Sequence, residues 1–86
     1  MADSPLIAEL TQIVRTVARI PAEVVVSPDA RLVEDLSVDS LDLVGISMKV
    51  EDRYGLEIDV DEVPNFRTIS DIAAYVAQHR PAAEAA

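Results

Sequence analysis

The chain has 86 residues, no cysteine and a formal net charge of −9, which fits one small domain without disulfide bonds or thiolate sites. The negative charge argues against nucleic acid as a partner, because its phosphates require Lys and Arg. No apolar run approaches the roughly 20 residues that cross a bilayer, so no membrane span is predicted. The first residues lack the basic segment of a signal peptide, and we expect a cytoplasmic protein.

The first predicted helix opens with Ser4 as N-cap and Pro5 in its first turn, where a missing N–H costs nothing. It should end near Arg19, since Pro21 biases Ile20 away from helical geometry. Its apolar residues recur at helical spacing and predict one buried stripe: Leu6, Leu10, Ile13, Val14 and Val17.

A long loop follows, from residue 21 to residue 38. The triplet Val24–Val26 could form a short strand, but no neighbouring segment looks like its pairing partner. We therefore expect an extended loop held to the core by apolar residues, Leu32 and Leu36 among them. Loops of this length without secondary structure are uncommon and usually functional.

The second helix is predicted from Ser40 to about Arg53. Asp39 suits the N-cap, Asp42 lies in the first turn, where the helix dipole favours negative charge, and Gly55 is a typical left-handed C-cap. Two apolar lines run along this helix: a core face of Leu43, Ile46, Val50 and Tyr54, and a second line of Leu41, Val44 and Met48.

Pro64 limits the third helix to a short one. Thr68 and Asp71 form a capping box that opens the fourth, whose inward residues are Ile69, Ile72, Ala73 and Val76. The predicted fold is all-α: a small antiparallel bundle of three main helices plus a short third helix, with a long loop between the first two. We expect one monomeric domain over residues 1–86, with a core of about 4–79 and a loose tail at 80–86.

The chain offers little for catalysis or metal binding. Its only histidine, His79, lies at the end of the last helix, and no Gly-x-Ser-x-Gly elbow is present. The segment from Asp59 starts like a calcium loop, but Pro64 and Ser70 stand where glycine and glutamate are required. We expect neither a catalytic residue nor a metal site, and no enzymatic activity.

Ten acids lie between residues 34 and 62, against only Lys49 and Arg53. Such a concentrated negative field steers basic partners, although a merely solubilising surface is an equally good explanation from composition alone. Within it, Ser40 lies at the start of the second helix, where its hydroxyl should point away from the core. A phosphate there would meet unpaired backbone N–H groups, a favourable setting worth on the order of 0.3–1 kcal/mol.

The segment RLVEDLSVDSLDLVGISMKVEDRYGLEI, with the first helix before it and FRTISDIAAYV after it, resembles the acyl carrier proteins of fatty acid and polyketide synthesis. The resemblance covers about residues 4 to 79. It implies that a phosphopantetheinyl transferase attaches phosphopantetheine to Ser40, flanked by Asp39 and Leu41, and that the thiol of this arm carries acyl groups as thioesters. It also implies docking of acyltransferase and ketosynthase-type enzymes on the residues Asp35, Asp42, Val44, Met48, Glu51 and Asp52.

Some residues depart from the family pattern. Ser37 replaces the usual glycine after Asp35–Leu36, so the turn into the second helix is expected to differ. Gly45 replaces the usual acid, and Lys49 and Arg53 make the partner-facing side less uniformly negative. These departures suggest particular partners, as in a secondary-metabolite pathway. Two alternatives stay open: a peptidyl or aminoacyl carrier protein, and an unmodified acidic helical interaction module.

Overall fold

A computed structural model describes residues 5–79, so the predicted cap at Ser4 and the tail at 80–86 lie outside the described residues. The chain folds into helix α1 (Pro5–Ala18), helix α2 (Ser40–Tyr54), a short 3₁₀ helix (Val60–Asn65) and helix α3 (Ile69–His79). No strand occurs within residues 5–79. The all-α bundle with a long loop between its first two helices is therefore confirmed.

The ends of α1 and α2 follow the predicted signals closely. Beyond Ala18, Arg19 adopts a left-handed φ of 57° and the Ile20 N–H donates to the Arg15 carbonyl at 3.1 Å, which closes α1. Gly55 caps α2 with φ 66°, and its N–H donates to the Glu51 carbonyl. Tyr54 is thus the last residue of α2, one beyond the predicted end.

One hydrophobic core joins the three helices, the loop and the 3₁₀ region. Its buried members are Leu10, Val14, Leu32, Val38, Leu43, Ile46, Val50, Tyr54, Leu56, Ile58, Phe66, Ile69, Ile72 and Val76. The predicted core face of α2 is buried throughout, and the predicted stripe of α1 supplies Leu10 and Val14, with Leu6, Ile13 and Val17 partly buried against them. The core is mainly aliphatic, with Tyr54 and Phe66 as its aromatic members.

Backbone hydrogen bonds hold the long loop, both to residues at the start of α3 and within the loop itself. The Leu32 N–H donates to the Arg67 carbonyl at 2.8 Å, and the Val38 N–H donates to the Leu32 carbonyl at 2.9 Å. The Ser70 N–H donates to the Pro28 carbonyl at 3.0 Å. These bonds and the complete burial of Leu32 hold the loop against the start of α3, so the chain reaches α2 from a fixed position.

Candidate functional site at the start of helix α2

Ser40 is the first residue of α2, and its position is set by the residue before it. Asp39 has extended backbone geometry, and its carboxylate accepts from the Asp42 N–H at 2.8 Å. In return, the Asp42 carboxylate accepts from the Asp39 N–H at 3.4 Å. This reciprocal capping box uses both side chains to start the helix and leaves Ser40 exposed between them.

The Ser40 hydroxyl is available for modification. Among residues 5–79, no group forms a hydrogen bond with it. The Ser40 and Leu41 N–H groups precede the first helical hydrogen bond of α2, which the Leu43 N–H makes to the Asp39 carbonyl at 3.0 Å. The exposed hydroxyl can be reached for modification. The free N–H groups and the positive end of the 15-residue helix both favour the negative charge of a phosphoester at this position.

The turn that leads to Ser40 keeps a left-handed residue although no glycine is present. Ser37 has φ 59°, a conformation that costs an L-residue roughly 1 kcal/mol. Val38, which follows, is buried and anchors the turn. With serine in place of the usual glycine, the backbone still takes the geometry that glycine favours, and Ser37 carries the strain.

Arg31 forms ion pairs with two acidic residues of the loop before α2. The Arg31 Nη1 lies 2.9 Å from Glu34 Oε1, and its Nε lies 3.8 Å from Asp35 Oδ2. The Asp35 carboxylate also accepts from the Arg31 N–H at 2.9 Å. Sequence reasoning missed this cluster, although the i+3 and i+4 spacing of its members could have shown it. Asp35 is therefore a less available charge than its sequence position suggested.

The second apolar line of α2 faces outward. Leu41 is 81% exposed, Met48 62% and Val44 45%. We refer to Leu41, Val44 and Met48 as the exposed apolar strip. It begins one residue after Ser40 and runs along two turns of the helix, which is the arrangement that a protein-docking surface requires.

Glu51 and Asp52, predicted together as partner-recognition residues, lie in different environments. The Glu51 carboxylate accepts from the Ile58 N–H at 2.6 Å, so it fixes the segment that follows α2. Asp52 is exposed, and no salt bridge involves it within residues 5–79. Of the two carboxylates, that of Asp52 is the more available to a partner.

Arg53 forms its salt bridge with a residue of α1 and not with the acids of α2. Its Nη2 lies 3.2 Å from Glu9 Oε2, and the Tyr54 hydroxyl donates to Glu9 Oε1 at 2.7 Å. The hydrogen bond to Glu9 and its negative charge raise the pKa of the Arg53 guanidinium. Burial, followed by the hydrogen bond to Glu9, raises the pKa of Tyr54 to about 12. Of the two cations of α2, Lys49 is left exposed and without a salt bridge in the described part of the chain.

A hollow of about 470 Å³ opens between the long loop and the 3₁₀ region. Leu43, three residues after Ser40, forms part of its wall, as do Val33, Pro64 and Phe66. Arg31, Glu34 and Arg67 also line it. A hollow lined by both apolar and charged side chains therefore lies within one helical turn of the candidate attachment residue.

Within the described residues, neither a metal site nor a membrane-spanning helix is found. Within residues 5–79, no group of three or more His, Asp or Glu side chains is placed to hold a metal ion. His79, the only histidine, stacks on Tyr75 with ring centroids 4.0 Å apart at the end of α3. In the same described range, no helix has the length and apolarity that a membrane crossing needs.

Comparison with known proteins identifies the relatives of the chain. Residues 8–76 match the family described as phosphopantetheine attachment site. The chain is 44% identical over 72 residues to an acyl carrier protein of Rhodococcus erythropolis, covering 83% of this chain and 77% of that protein. It is 39% identical over 72 residues to the meromycolate extension acyl carrier protein of Mycolicibacterium aurum, covering 83% and 72%. An acyl carrier protein of Rickettsia canadensis is 38% identical over 56 residues, covering 65% of each chain.

The matched region includes α2 with its exposed serine, the capping aspartates and the exposed apolar strip. It also includes the hollow beside Leu43. From these matches and the geometry of α2, the chain belongs to the acyl carrier protein family, whose members carry covalently attached phosphopantetheine.

Proposed function

We propose that Ser40 is the residue that receives phosphopantetheine, and that the chain acts as a non-enzymatic carrier of acyl groups. The observation that carries this proposal is the exposed, unbonded Ser40 hydroxyl at the start of a capped helix. When attached, the group supplies a thiol that holds acyl groups as thioesters. Asp39 and Asp42 hold the turn, while the free N–H groups of the first helical residues favour the negative charge of the phosphate.

The experiment is enzymatic loading followed by mass measurement. The purified chain is incubated with coenzyme A and a broad-specificity phosphopantetheinyl transferase, and a gain of one phosphopantetheine mass is expected. Ser40→Ala should abolish the gain, while the control Ser37→Ala, an exposed serine in the same turn, should keep it. A gain that survives in Ser40→Ala would place the modification elsewhere, and no gain in any variant would favour an unmodified acidic interaction module.

The exposed apolar strip, Asp52 and the capping aspartates are proposed as the surface read by the transferase and by acyltransferase and ketosynthase-type enzymes. Large apolar side chains at 45–81% exposure, bordered by carboxylates, match a partner with an apolar centre and a basic rim. The relatives' names, an acyl carrier protein and a meromycolate extension acyl carrier protein, support acyl cargo over a peptidyl or aminoacyl one.

The hollow beside Leu43 supports partial sequestration of the cargo. Burying each methylene is worth roughly 0.8 kcal/mol, so six would contribute about 5 kcal/mol before the cost of widening the cavity. We expect the medium-chain acyl form to melt at a higher temperature than the form with a free thiol. Equal melting temperatures, measured by calorimetry on both forms at one pH, would contradict sequestration.

A further inference from the structure

Gly45 of α2 lies against Val17 of α1. A Cβ built on Gly45 would lie 3.0 Å from Cγ1 of Val17, which is shorter than an ordinary van der Waals contact. A trough of about 730 Å³ opens beside this contact, lined by Val17, Gly45, Met48, Lys49, Glu51 and Asp52. We call these six residues the seam trough.

The seam trough does not stop at α2. A second hollow, of about 210 Å³, shares Val17 and Lys49 with it and continues along α1 past Gln12, Ile13 and Thr16. The floor is therefore built from two helices, whereas the exposed apolar strip belongs to α2 alone. A partner that fills this trough must contact α1 as well as α2.

The charges at its edges differ from those of the surrounding surface. Lys49 is exposed and has no salt bridge within residues 5–79, although Asp52 lies three residues further along the same helix. Arg53, the other cation of α2, is paired with Glu9. Among the described residues, the trough therefore offers the unpaired ammonium of Lys49 on one edge and the unpaired carboxylate of Asp52 on another. Lys49 would repel a partner surface that carries only basic residues.

We propose that the seam trough receives a bulky apolar side chain of a partner enzyme, beside a partner carboxylate that pairs with Lys49. The inference deepens the carrier function proposed above and rests on it. Anchors that fill a pocket supply most of the binding energy at protein interfaces. Charge complementarity at Lys49 implies a partner whose docking surface carries an acidic residue among its basic residues.

The test uses the loaded, full-length chain as substrate for condensing enzymes of its source organism. The enzyme with the highest kcat/KM for the wild-type carrier is the probe. Lys49→Gln is expected to raise KM about fivefold and Lys49→Glu at least about tenfold, with kcat unchanged. Arg53→Gln is the matched control, because it removes the same charge from a residue already paired within the chain, and it should change KM less than about twofold.

Gly45→Leu adds a side chain at the floor of the trough, where its Cβ meets Val17, without a change of charge, and it should raise KM at least about tenfold. Its helix content and its loading at Ser40 are measured first, so that misfolding or a failed carrier function is distinguished from failed docking. A uniformly basic partner would respond to the Lys49 variants in the opposite direction, with a lower KM, and that result overturns the proposal. An unchanged KM in these variants also overturns the proposal. So does a change of KM that is seen only with long acyl cargo, because it would place the cargo in the trough.

Discussion

The pH dependence of stability provides a direct test of the contact between α1 and α2. Tyr54 is only 8% exposed, and its neutral hydroxyl donates to Glu9 at 2.7 Å. Burial and this hydrogen bond raise its pKa from 10.0 to about 12. The stabilisation is therefore fully present below pH 10, where tyrosine is protonated in both the folded and the unfolded chain, and it is lost as the pH rises through 12.

Each pH unit across that window removes about 1.4 kcal/mol, so the loss amounts to about 2 to 3 kcal/mol. Tyr54→Phe cannot ionise and should not show this loss. The measurement is the free energy of unfolding from urea titrations followed by far-UV circular dichroism, at several pH values from 8 to 12. The difference between the wild type and Tyr54→Phe should shrink by about 2 to 3 kcal/mol over the upper two pH units.

Tyr75→Phe is the control, because Tyr75 belongs to α3 and its hydroxyl donates to the Glu57 carbonyl rather than to a carboxylate. This variant retains Tyr54 and should therefore still lose stability as the pH rises from 10 to 12. A constant difference between the wild type and Tyr54→Phe at every pH would refute the reasoning, since it would mean that burial and Glu9 do not resist ionisation of Tyr54.

Three further predictions concern stability, each measured by urea unfolding at neutral pH. Asp39→Ala should cost about 1 kcal/mol because the cap is lost, while Asp39→Asn, which can still accept, should cost less; equal losses would contradict the capping role. Ser37→Gly should stabilise the fold by up to about 1 kcal/mol by relieving the left-handed serine, and any destabilisation would argue against strain there. Glu51→Ala should cost about 1–3 kcal/mol, because the N–H of the buried Ile58 loses its acceptor. Asp52 is exposed, so Asp52→Ala should change stability by no more than about 0.5 kcal/mol. Similar costs for the two variants would contradict the structural role of Glu51.

Local signals predicted α2 almost completely. Asp39, Asp42 and Gly55 act on backbone groups within a few residues of themselves, so their roles can be read from sequence order. The apolar spacing likewise separated the buried face from the exposed strip. The position of Ser40 at the first helical residue follows from these same short-range interactions, and for that reason it could be predicted without the structure.

Roles that depend on packing could not be predicted in the same way. Arg53 was expected to dilute the acidic surface, but Glu9, 44 positions earlier, pairs with it only after α1 packs against α2. Gly45 stood out only as a departure from the family pattern, because nothing in the sequence places Val17 opposite it. The backbone angle of Ser37 is also imposed from outside, by the burial of Val38 and its bond to Leu32.

The attachment of the long loop to the start of α3 has a consequence for carrier engineering. Pro28 and Leu32 make backbone hydrogen bonds with Ser70 and Arg67, and the Ser70 hydroxyl donates to the Asp29 carboxylate at 3.2 Å. A chimera that exchanges only the segment before the serine would separate these partners. Segments 21–39 and 66–70 should therefore be transplanted together as a single cassette.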